Sequence, residues 1–146
     1  MLSPLAYWLI LAVVALYAFV RGQLDERYAA GICVVATVGT LIFSSAFHER
    51  FHDVEVGILV VDLLALAGFT WIALRSDRFW PLWVAGLQLT TSLSHFLKMI
   101  DSDLIPSAYA VAGRFWVYPI FLIIVIGTWR GHRRRATESF DGALTG

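Results

Sequence analysis

Residues 54–74 read VEVGILVVDLLALAGFTWIAL, an apolar stretch in which only Glu55 and Asp62 are charged. About 20 predominantly apolar residues in a helix rising 1.5 Å each cross a hydrocarbon layer ~30 Å thick, and this stretch is long enough. Four more apolar runs flank it, at residues 4–20, 29–47, 79–99 and 108–129. The pattern predicts an all-α membrane protein: a bundle of five transmembrane helices over residues 1–130, followed by a basic, disordered tail over 131–146.

Composition agrees. Of 146 residues, 59% are hydrophobic and only 15% charged, with a mean hydropathy of +0.73. A soluble domain is nearer one-quarter charged. Five crossings leave no length for a second domain. The formal net charge is zero, so the placement of charge is informative and its total is not. Cys33, the single cysteine, lies inside the second run, has no partner for an internal disulfide, and reads as a small apolar contact residue. No Lys or Arg precedes the first run, which argues for an inserted helix over a cleavable signal peptide.

The arginines orient the chain. Arg21, Arg27, Arg75, Arg78, Arg130, Arg133, Arg134 and Arg135 fall on one side of a five-crossing chain, and the other side has only Arg50, with Lys98 at its edge. Basic residues concentrate on the cytoplasmic side, which places the N-terminus outside and the C-terminus in the cytoplasm of a bacterial-type inner membrane. Tyr7, Trp8, Tyr109 and Trp116 near the outer ends, and Trp71, Trp80, Trp83 and Trp129 near the inner ends, suit interfacial belts. Asp25, Asp53, Asp77 and Ser107 each precede a run and read as helix N-caps. Pro119 lies within the fifth run and predicts a kink that frees the carbonyl of Phe115.

Polar residues recur at helical spacing in four of the runs. Thr37, Thr40, Ser44 and His48 share a face of the second; Glu55 and Asp62 of the third; Gln88, Thr91, Ser92 and His95 of the fourth; Arg114 and Tyr118 of the fifth. Polar faces avoid lipid, so these helices should surround a polar-lined core, with the first helix against its outside. Counted from the outer ends, Asp62 is about 12 Å deep and Arg114 about 9 Å. Their opposite charges at similar depth predict an ion pair within a polar site of Asp62, Arg114, Gln88, Tyr118 and Glu55. The inner half reads as nearly pure Leu, Ile, Val and Ala.

Residues 48–52, His-Glu-Arg-Phe-His, match the H-E-x-x-H pattern. On one helix His48 and His52 would share a face and bind a zinc ion, with Glu49 activating water. His95 is a further metal candidate, and His48 or His52 opposite His95 is the spacing a haem would need. The alternatives are therefore two. One is a non-enzymatic membrane protein with an outward-facing polar site, transporter-like or an accessory or assembly subunit. The other is a metal-dependent membrane hydrolase or a haem- or metal-binding redox protein. The expected partners are the lipid bilayer, a membrane-protein partner or second copy, and anionic lipid headgroups at the basic tail; no nucleic acid is expected.

Overall fold

A computed structural model describes residues 4–46, 51–100 and 115–144 of the chain. These residues form an all-helical bundle of five helices without strands: α1 (Pro4–Arg21), α2 (Leu24–Ala46), α3 (Phe51–Arg75), α4 (Trp80–Ile100) and α5 (Val117–Leu144). Two of them are long and apolar enough to cross a membrane by length and composition, over Leu24–Ser45 and Val56–Arg75, with mean hydropathies of 1.7 and 2.2. The described part of the first apolar run, Leu5–Arg21, is shorter. Among the described residues two helices thus meet this criterion, where the sequence predicted five crossings. The polar residues of α4 dilute its hydropathy, and α5 has only Val117–Trp129 before its arginines.

The helices close a ring in which each packs on its chain neighbours and α5 returns to α1; α2 also touches α5. Tyr7 of α1 stacks on Phe121 of α5 at 5.9 Å between ring centroids, and Arg21 at the other end of α1 meets His132 of α5. Those two contacts make α1 and α5 parallel, as an up-down bundle with an odd number of helices requires.

The expected position of α1 is corrected here. It is a member of the ring and not a helix laid on its outside. Leu11, Val14 and Ala18 are buried in the core with Ala65, Phe69, Ile72, Val84 and Ile124. The Tyr7 hydroxyl lies 2.8 Å from Thr37 Oγ1, whose own proton goes to the carbonyl of Cys33. Thr37 therefore accepts from Tyr7 and ties α1 to α2. The other face of α1 presents Leu5, Leu9, Val13, Leu16 and Val20, each at least 63% exposed.

Where the sequence predicted an eight-residue connection, α1 and α2 are joined by Gly22 and Gln23 alone. Gly22 N–H donates to the carbonyl of Ala18 at 2.8 Å, and a Cβ at position 22 would stand 2.3 Å from that oxygen and 2.9 Å from Glu26 Cβ. Only glycine fits so close an approach. Because α2 starts at Leu24, Asp25 is not its N-cap: it sits in the first turn and accepts from Ser76 at 2.7 Å. Acids in a first turn complement the helix dipole, so the early start is favourable.

Glycines also set the α2–α3 contact. Phe43 fills the space above Gly57, Val61 the space above Gly39, and Ile32 the space above Gly68, all in one antiparallel register. Small residues allow such close helix approach. On α5, Pro119 falls in the first turn, where its missing N–H removes no helical bond, and the chain departs from regular helix at Trp116. The expected disordered tail is corrected as well, since α5 runs unbroken to Leu144.

These glycines make a paired prediction. Gly22→Ala forces the Ala18 carbonyl or Glu26 to move and should lower stability by about 1–3 kcal/mol, the usual cost of overpacking. Gly31→Ala, with open space around its Cβ position, should leave stability unchanged or raise it by up to about 1 kcal/mol. Thermal unfolding of both purified variants, followed by circular dichroism, checks the difference.

Candidate functional site

Ionisable side chains gather at two levels of the bundle. The first is mid-depth, between α3 and α4. Gln88 on α4 directs its amide nitrogen at Asp62 on α3, 3.1 Å from Oδ1 and 3.4 Å from the main-chain carbonyl. One α4 repeat further on, His95 Nε2 lies 3.3 Å from Asp62 Oδ2. That is ion-pair range, but the alignment is not that of a hydrogen bond, and Oδ2 is buried without a hydrogen-bond partner among the described residues. Gln88 and His95 reach one carboxylate because seven residues are two helical turns.

Between them Thr91 and Ser92 are buried, and their hydroxyls donate to the carbonyls of Leu87 and Gln88. Thr90, Ser94, Thr40 and Thr128 do the same one turn back. A hydroxyl satisfied by its own helix needs no water and keeps its lone pairs free as acceptors. The polar faces read from the sequence on α2 and α4 thus exist, but most of their donors are already spent on backbone.

The second level lies at the arginine-rich end and contradicts the expectation of an aliphatic inner half. Glu26 is fully buried. Arg78, from the α3–α4 connection, donates to Glu26 Oε1 at 2.5 Å and to Gln23 Oε1 at 2.6 Å, and the Gln23 N–H donates to Glu26 Oε2 at 2.8 Å. The last bond is one half of a capping box, in which the third residue of a helix reaches back to the N-cap N–H. Gly131 of α5 lies over the pair, its Cβ position 3.1 Å from Arg78. Trp80, expected at the lipid interface, is turned inward against Gly127, with its indole nitrogen buried and without a hydrogen-bond partner among the described residues. Arg135 donates to the carbonyl of Arg21 at 2.7 Å, and Arg21 donates to His132 at 3.0 Å. Those two bonds tie the first part of the expected tail to the end of α1.

Asp62 and Gln88 are thus brought together, and His95 joins them as a carboxylate partner. Tyr118 is half-buried on α5 and makes no described bond to them. Arg114, and with it the predicted Asp62–Arg114 pair, lies outside the described residues, as do His48, Glu49 and the side chains of His52 and Glu55. Among the described residues no group of three His, Cys, Asp or Glu side chains is placed to hold a metal ion. The Glu26–Arg78 pair was missed because residues 21–28 were read as a loop. The signal for it was the three-residue spacing of Gln23 and Glu26 at a helix start.

No protein-family model matches the chain, and no curated protein or solved structure proves similar to it.

A buried pair broken on one side leaves an uncompensated charge. Glu26→Leu or Arg78→Leu alone should cost about 3–5 kcal/mol, and the double variant should recover much of that loss because it removes both charges together. Unfolding of the four proteins in denaturant measures it; additive losses would show that the two side chains do not act as a pair.

Proposed function

We propose that the chain is a small, polytopic, non-enzymatic integral membrane protein whose Asp62–Gln88–His95 cluster is an outward-facing intramembrane site for a proton or small cation. It belongs with transporter-like proteins or the accessory subunits of membrane assemblies. In this reading the arginine-rich end is cytoplasmic and the five helices all cross a bacterial-type inner membrane.

The observation that carries the reading is the gradient of access along α4. Gln88 is 7% exposed, while the His95 side chain, two turns closer to the end opposite the arginines, is 33% exposed. Toward the arginines Phe69, Ile72, Val84 and Ile124 fill the bundle. A carboxylate placed there exchanges with one side of the membrane only. Among the described residues Asp62 Oδ2 has no hydrogen-bond donor, which leaves an acceptor oxygen for a cation. Ionisable residues inside a membrane are costly and for that reason commonly mark ion or proton paths.

The surface supports lipid as the surroundings. Within Leu24–Ser45 and Val56–Arg75 only 17% and 33% of an 18-residue apolar window is buried, whereas the core helix of a soluble protein is mostly buried. The exposed residues are large and apolar, as on α1 and at Val60, Leu64, Leu74, Leu82, Leu89 and Leu93. Large exposed apolar patches are uncommon on soluble monomers.

The test is one of access. In a Cys33→Ala background, His95→Cys should react with a membrane-impermeant maleimide added outside intact cells, and Gln88→Cys should not. Labelling of His95→Cys from the cytoplasmic side alone would overturn the orientation, and equal labelling of both positions would overturn the closed inner wall.

A further inference from the structure

The arginines of α5 divide between two faces. His132 and Arg135 turn to α1 and are engaged there. Arg130, Arg133 and Arg134 lie on the other face and, with Trp129 and Thr137, line an open hollow on the surface of the helix. The Arg133 guanidinium stacks over the Trp129 ring at 5.0 Å. Arg130 and Arg134 have no ion-pair or hydrogen-bond partner among the described residues. They are one helical turn apart, an arrangement of like charges that destabilises a helix. Thr137 already donates its hydroxyl to the carbonyl of Arg133, so the charged donors of the hollow are guanidinium groups. Unpaired guanidinium forks on one face match the oxygens of a phosphate.

Position selects the source of that phosphate. Trp129 stands at the arginine-rich end of the bundle, with Arg133 one turn beyond it; α3 repeats the arrangement, with Arg75 stacked over Trp71 at 4.7 Å. Tryptophan belongs at the hydrocarbon boundary, and a basic residue one turn, or about 6 Å, further out stands at headgroup level. The hollow has an apolar wall on the bilayer side and positive charge above it, which complements an anionic lipid and not a free ion.

We propose that the α5 face formed by Trp129, Arg130, Arg133 and Arg134 binds the phosphate headgroup of an anionic phospholipid in the cytoplasmic leaflet. The site rests on the membrane reading above. The lipid clamps α5 where it leaves the bilayer and neutralises charges that otherwise repel one another along the helix.

The experiment uses the full chain in detergent, with bound lipid counted by native mass spectrometry. Phosphatidylglycerol is titrated against phosphatidylcholine of the same acyl chains. Wild type should prefer phosphatidylglycerol, and R130Q/R134Q should lose about thirtyfold in affinity for it, about fivefold per arginine. R130K/R134K should keep part of the preference, and R135Q, whose side chain faces α1, should keep nearly all of it. Helical circular dichroism unchanged across the set shows that folding is intact. Equal binding of both lipids, or a preference that survives in R130Q/R134Q, overturns the site. Inorganic phosphate binding as tightly as the lipid overturns the lipid assignment. Alkaline carbonate extraction of wild type from membranes separates the two layers: release overturns the membrane reading and the site with it, while retention with no lipid preference overturns the site alone.

Discussion

Glu26 has no exposure to solvent, and its carboxylate is held on both oxygens, by Arg78 from the α3–α4 connection and by the backbone of Gln23. Moving a carboxylate out of water is costly unless it is paired and hydrogen-bonded, so these contacts constrain everything around them. They require Gly22 for a joint tight enough to deliver Glu26 inward. They bring the α3–α4 connection under α2. Through Gly131 they draw α5 across the same end. The start of α2, the turn before α4 and the middle of α5 are positioned by one carboxylate.

Asp62 is the contrasting case. It too is a carboxylate within the bundle, but it accepts from a neutral amide, lies in ion-pair range of an imidazole, and has one oxygen without a hydrogen bond among the described residues. The surrounding hydroxyls of Thr91 and Ser92 are committed to their own helix. Among the described residues Glu26 is thus a saturated carboxylate that holds helices together, while Asp62 keeps one oxygen without a hydrogen bond. Burial alone does not make the distinction, because the fully buried carboxylate is the saturated one.

The ring of helices explains why α1 was misjudged. Its sequence is apolar on all sides, and an apolar face in lipid looks the same as an apolar face in a core. Small residues decided the matter: Ala18 and Gly22 let the end of α1 come within contact distance of α2, and Tyr7 found Thr37 across the interface. The tail was misjudged for the opposite reason. Residues 131–146 read as a basic, disordered tail, yet the α1 carbonyl of Arg21 accepts from Arg135, and His132 and Arg133 are engaged by Arg21 and Trp129.

Periodicity alone was enough to read α-helices and the shared face of Gln88 with His95, because helical spacing is a local property of the chain; the ends were less legible, since α2 begins at Leu24 and α5 runs on to Leu144. The alternation of arginine-rich and arginine-poor connections was equally legible. Which charge meets which was not. Asp62 was matched to Arg114 on depth and sign alone, and Glu26 and Arg78 lie 52 positions apart. Such pairings depend on helix rotation and on approach distances set by glycines, and both arise only when all five helices compete for the same buried faces.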